Sequence, residues 1–141
     1  MITPERMRAV VFEAPGRFGV REVAAPVPTH GHALVRVEAA MVCATDQKIL
    51  AGRFAGTHFP HIPGHEFSGT VESLGPATIG PVPGTRVGVE VHIGCGTCDR
   101  CREGLYNLCR NYGRSETGHA HIGFTIPGGL AQLGNVPVQA P

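Results

Sequence analysis

Short runs in which apolar and polar residues alternate dominate this chain. Residues 33–40 (ALVRVEAA) and 86–92 (RVGVEVH) change character at every second position, and the second run places Val87, Val89 and Val91 on one face. Residues 71–74 alternate over a shorter length, and the apolar run 10–12 also reads as strand. Strands are predicted at all four, joined by surface connections rich in Pro, Gly and His such as 25–32. One segment reads as a helix, with Thr45 or Asp46 as N-cap, 47–51 as body and Gly52 where a C-terminal glycine belongs. Residues 124–138 return to turn-then-strand character after a cysteine-rich stretch. The expected fold class is mainly β, with short helices.

Composition supports that expectation and narrows the function. Twenty glycines and twelve prolines against six Phe, two Tyr and no Trp favour turns and short strands over long helices. A chain of 141 residues suits one domain and is too short for two well-formed cores, so residues 1–141 are read as a single domain. A formal charge of +1, with both signs interspersed, offers no field for nucleic acid or an anionic membrane, and neither partner is expected. The first twelve residues carry charges where a signal peptide needs an apolar run, and no run approaches membrane-spanning length. Five cysteines, an odd number with four crowded together, fit metal ligation in a reducing, cytoplasmic setting better than a disulfide framework.

Those four are Cys95, Cys98, Cys101 and Cys109, spaced Cys-x-x-Cys-x-x-Cys-x7-Cys. Each short spacing lets one turn aim two sulfurs at a common centre, and four thiolates complete a tetrahedron that zinc accepts in a structural site. Residues 93–114 are poor in aliphatic side chains, so the metal would replace the missing core and fold this lobe. Arg100, Arg102, Arg110 and Arg114 lie near enough in sequence to offset the charge of four thiolates. Free or disulfide-paired cysteines and an iron–sulfur cluster are the competing readings. The fourth cysteine lacks a following proline and there is no second cysteine group, which weighs against the cluster. Four protein ligands leave no position for a substrate, so the expected role is structural.

The fifth cysteine, Cys43, stands just before the short helix, at an electropositive end suited to an anionic ligand. Residues 63–71 (PGHEFSGTV) form a turn that presents His65 and Glu66 and then enters a strand. Thiolate, imidazole and carboxylate make a mixed set suited to zinc with an open position. Spacing alone does not bring these groups together: Cys43 also reads as a buried small hydrophobe, His65-Glu66 as an exposed turn, and Thr45-Asp46 as a cap. His58, His61 and His65 form another conceivable triplet, but Pro60 and Pro63 deny them a shared helical face. His30, His32, His92, His119 and His121 read as loop or strand-surface residues.

These motifs resemble the zinc-containing medium-chain alcohol dehydrogenases, whose catalytic domain is a GroES-like β-barrel. The resemblance rests on 7–12 (MRAVVF), 42–46 (VCATD), 63–69 (PGHEFSG), the cysteine lobe and 128–132 (GGLAQ), which is similar to the family's return strand. It implies that Cys43 and His65 hold a catalytic zinc, with Glu66 as ligand or as a neighbour exchanging with water. It also implies that Thr45 relays the substrate proton and that Asp46 orients the ligands from behind. Zinc would act as Lewis acid on an alcohol substrate while hydride passes to NAD(P). Ala44, the stretch 83–87 (PGTRV) and Lys48 depart from the family pattern, and Lys48 stands near the usual place of an outer relay histidine. Residues 111–113 and 118–124 lean toward polyol, threonine or secondary-alcohol enzymes.

A Rossmann domain for the nucleotide, and with it NAD(P) binding, is expected to be absent from these residues, since Gly94-Cys-Gly96 is followed by Asp99 where the nucleotide fingerprint has glycine. Two classes of function therefore stand: the zinc-binding part of a dehydrogenase that is incomplete alone, or a free-standing, non-catalytic zinc module that binds a partner. An apolar face left for a separate nucleotide-binding domain would favour homo-oligomer formation.

Overall fold

In the computed structural model, which describes residues 4–138, three antiparallel sheets account for most of the regular structure. The first and last three residues of the expected domain lie outside the described residues. Strands β1 (Arg6–Ala14) and β2 (Arg17–Ala24) form a hairpin turned at Pro15-Gly16, where Gly16 takes a φ of 73°. A four-stranded sheet has the order β5-β4-β3-β8, built from β3 (His32–Met41), β4 (Glu66–Leu74), β5 (Arg86–Gly88) and β8 (Leu133–Pro137). Strands β6 (His92–Ile93) and β7 (Ala120–His121) form the third. Segment 128–132 ties the hairpin to the sheet, because Val10 N–H donates to Leu130 O at 2.8 Å and Gln132 N–H to Arg8 O at 3.1 Å.

The N-terminal half of β3 is covered on both sides. Leu34 packs with Met7 and Leu133, while Ala33 and Val35 pack with Val71 on the opposite side. Each buried aliphatic side chain contributes about 1.5–3 kcal/mol, so this strand fixes the register of its neighbours. A third cluster, Phe67, Ile93 and Ile122, joins the small sheet to β4.

Three expectations change. The run 86–92 is not one strand: β5 pairs with β4, but by β6 the chain has moved to pair with β7, and the break falls between them. Strand β2 has no alternating signature because nearly all its side chains are exposed and its order comes from backbone pairing with β1. Helix α1 (Ala44–Leu50) begins earlier than expected, with Cys43 rather than Thr45 or Asp46 as N-cap. Gly52 does follow it as expected, at φ 69°, with its N–H on Ile49 O.

Candidate metal centres

In the cysteine lobe, α2 (Asp99–Arg102) is one helical turn capped by Cys98, whose Sγ accepts the Cys101 N–H at 3.4 Å. Cys95 Sγ accepts from the Cys98 N–H at 3.4 Å, Thr97 Oγ1 at 3.4 Å and Asn111 Nδ2 at 3.3 Å. The four sulfurs lie within 4.8 Å of one another and none is in a disulfide. Hydrogen bonds from Thr97 and Asn111 draw the Cys95 thiol down to about 5. The backbone N–H groups of Arg110 and Cys101 hold Cys98 below the usual thiol range. Desolvation and the neighbouring sulfurs push Cys101 up to about 12, a cost that a divalent cation among them would remove. Four converging sulfurs, two of them drawn toward thiolate, fit zinc.

Two of the four arginines expected to offset that charge pair with carboxylates. Arg110 Nε and Nη2 donate to Asp99 at 2.6 and 2.7 Å, which holds the Asp99 carboxyl down at about 2, and Arg100 reaches Glu103 at 3.3 Å. The hydrogen bonds to the sulfurs come from backbone N–H groups, the Thr97 hydroxyl and the Asn111 amide. The lobe has little else to hold it, since Cys109 is its buried apolar residue beyond Ile93 at its entry.

The second centre depends on distant parts of the chain. Residues 62–64 zip against 128–130: Gly128 N–H donates to Ile62 O at 2.8 Å, Gly129 N–H to Gly64 O at 2.7 Å and Leu130 N–H to Pro63 O at 3.0 Å. A Cβ on Gly128 would collide with Gly64 O, so this close approach requires glycine. The zipper sets His65, 7% exposed, at the start of β4. Opposite it, Cys43 Sγ accepts the Thr45 N–H at 3.2 Å, while Asp46 Oδ2 accepts the Cys43 N–H at 2.9 Å, which closes a capping box. Ile49, fully buried, anchors the helix below.

The two halves meet at 3.1 Å, between Cys43 Sγ and His65 Nε2. Glu66 Oε1 lies 3.6 Å from the same Nε2 on a half-exposed side chain. On the other side of the ring, His65 Nδ1 faces Asp46 Oδ1 at 3.5 Å, and neither atom has another partner although Asp46 is 1% exposed. One ring nitrogen is thus turned to the thiol and the other to a buried carboxylate, an arrangement that fixes an imidazole as a metal ligand. Cys43, His65 and Asp46 bring ligand atoms within 4.8 Å of one another, and Glu66 stands at the margin of that group. Thr45 is half-buried beside Cys43, and Lys48 is exposed.

The histidine triplet does not assemble. His61 is buried with Nε2 on Gly123 O at 2.7 Å, and His58 is exposed. His119 and His121 are not surface residues: they are 3% and 4% exposed, and the pairing of β6 with β7 carries them inward. Sequence reasoning also passed over Phe124, whose ring packs on His65 with centroids 4.5 Å apart. The only cue was its place between the glycines of 123 and 128–129.

Known proteins are similar to this chain over most of its length. The chain is 41% identical over 115 residues to the D-altritol 5-dehydrogenase of Agrobacterium fabrum, covering 79% of this chain and 34% of that protein. It is 39% identical over 112 residues to the L-threonine 3-dehydrogenase of Pyrococcus horikoshii, covering 76% of this chain and 32% of the relative. The solved cobalt- and zinc-bound thermostable alcohol dehydrogenase from Pyrobaculum aerophilum superposes with a TM-score of 0.82 at 36% identity. That alignment covers 94% of this chain and 39% of the solved one, so the chain spans about a third of the length of its relatives. With residues 29–140 matching the alcohol dehydrogenase GroES-like domain, the chain belongs to the family of zinc-type medium-chain alcohol dehydrogenases, and its mainly β architecture is that domain's fold.

Proposed function

We propose that this chain is the zinc-binding catalytic part of a dehydrogenase that oxidises an alcohol or polyol to a carbonyl. The observation that carries the reading is the approach of Cys43 Sγ to His65 Nε2 at 3.1 Å with Asp46 behind the ring. Cys43 and His65 hold one zinc, Glu66 joins them or yields its place to water, and the sulfurs of Cys95, Cys98, Cys101 and Cys109 hold another. Bound at Cys43 and His65, zinc supplies Lewis acidity toward an alcohol oxygen. Asp46 keeps the His65 ring in place through Nδ1, and Thr45 Oγ1 takes the proton that leaves the alcohol. Hydride goes to a nicotinamide, and the substrate is a small-molecule alcohol.

No described helix is long and apolar enough to cross a membrane. A cytoplasmic location fits the free thiols, and self-association fits the exposed Met41-Val42 pair beside the site.

Metal analysis tests the reading. The purified chain should carry two zincs, and His65→Ala should carry one. Cobalt substitution should give thiolate-to-cobalt absorption from both centres in the parent chain and from the four-sulfur centre alone in His65→Ala. A parent chain that binds one equivalent, or an unchanged spectrum in His65→Ala, would overturn the catalytic assignment.

A further inference from the structure

Past the Phe124 ring that packs on His65 lies a cavity of about 490 Å³ that neither metal centre uses. Phe54 and His121, which both line the cavity, stand with ring centroids 4.9 and 6.0 Å from that of Phe124. One aromatic ring therefore separates this space from the Cys43–His65 pair. Its volume is within the range of small-molecule sites.

The inner wall is built on two buried imidazoles, with the exposed Tyr112 beside them. The His119 and His121 rings stand 4.6 Å apart, and Tyr112 is 4.8 Å from each. His119 Nδ1 accepts the Gly113 N–H at 3.1 Å, which leaves Nε2 of the neutral ring as a donor. His121 Nε2 is buried with no hydrogen-bond partner, an unmet group of the kind a ligand satisfies. Among the described residues, only the two groups already described bring three or more ligand atoms within 4.8 Å, so these histidines are not a third metal set.

Arg53 and Ser115 add a guanidinium and a hydroxyl, and no Asp or Glu lines the cavity. An ammonium group would find no counter-charge there, and an unfunctionalised alkyl chain would leave the buried imidazole nitrogens unmet. Hydroxyl groups both donate and accept, and so suit every group on the wall. Burial, with His119 and His92 beside it, brings His121 down to about 4, so its imidazole meets a ligand as a neutral group at physiological pH, while the guanidinium of Arg53 stands at the edge.

We propose that this cavity binds the uncharged, hydroxyl-bearing chain of a polyol, with His119 and His121 selecting it over amino acids and simple alcohols. The inference rests on the dehydrogenase reading and names the substrate class of that same site.

Imidazole-detected NMR of the zinc-loaded chain, titrated separately with galactitol, L-threonine and 1-pentanol, tests it. Galactitol alone should give saturable shifts at His119 and His121, and His121→Phe should weaken its binding about tenfold, the loss of one buried hydrogen bond. Should His121→Phe fail to fold, Arg53→Ala at the exposed edge should weaken it about threefold. Equal binding of threonine or pentanol, or unmoved His119 and His121 signals at saturating galactitol, would sink the inference while two bound zincs left the dehydrogenase reading standing. Zinc in the four-sulfur centre alone would defeat that reading, and the substrate role with it, whatever galactitol did.

Discussion

Cys95, Cys98, Cys101 and Cys109 come from a single run of fifteen residues, whereas Cys43 and His65 stand 22 residues apart and meet only because separate elements carry them. Around the first group almost nothing apolar is buried, and backbone turns point four sulfurs inward. Around the second, Ile49, the capping box at Cys43 and the zipper of 62–64 against 128–130 build the site before any ion arrives. In the lobe, then, metal binding is folding energy, on the order of 10–16 kcal/mol for structural zinc in small modules near neutral pH. At the other centre the fold provides the geometry, and the metal adds chemistry to it.

Substitutions on the two sides should separate sharply. Cys98→Ser is expected to release the lobe's ion and cost on the order of 5 kcal/mol of local stability, with amides of 95–112 losing hydrogen-exchange protection. His65→Ala should also lose one ion yet keep lobe and sheet amides protected, at a global cost of about 1–2 kcal/mol. If His65→Ala melted the lobe, or Cys98→Ser left it protected, the distinction would collapse.

A finer probe leaves every ligand in place. Asp46→Asn keeps an oxygen for the Cys43 N–H but removes the charge facing His65 Nδ1. Zinc affinity at that centre should fall about 10- to 100-fold in a chelator competition, with the four-sulfur centre unchanged. An equal loss at both centres would mean that Asp46 acts on the whole fold.

The smallest effect is in the acid response of the body between the centres. The unfolded chain protonates His121 below its ordinary value of 6.5, while the folded chain resists until about 4. The unfolded state therefore binds more protons across that window, and stability should fall as pH drops from 6.5 to 4, by roughly 1–2 kcal/mol for this group. Urea melts of the parent chain and of His121→Phe at pH 7 and pH 4.5 measure it. An unchanged difference in the variant would place the acid sensitivity elsewhere.

The cysteine lobe was legible because its ligands are close in sequence: short Cys-x-x-Cys spacings constrain the sulfurs whatever the rest of the chain does. The alternating patterns of β3 and β4 could also be read, since one or both faces of these strands are buried. Strand β2 was missed because exposed side chains carry no period, and 86–92 was read as one strand because alternation does not reveal where a strand changes partner. Cys43 as N-cap ran against the preference for oxygen side chains at that position.

By itself the sequence determined the β character, the two donor sets by residue type and, through the family resemblance, which donors were expected to act together. Tertiary structure alone decided that Cys43 and His65 lie 3.1 Å apart, that Asp46 faces the far side of the ring, and that His119 and His121 line a cavity instead of the surface. The physical reason is range. Turn chemistry and periodicity act over a few residues, but these contacts join residues about twenty to seventy positions apart, and only packing of the sheets brings such partners together.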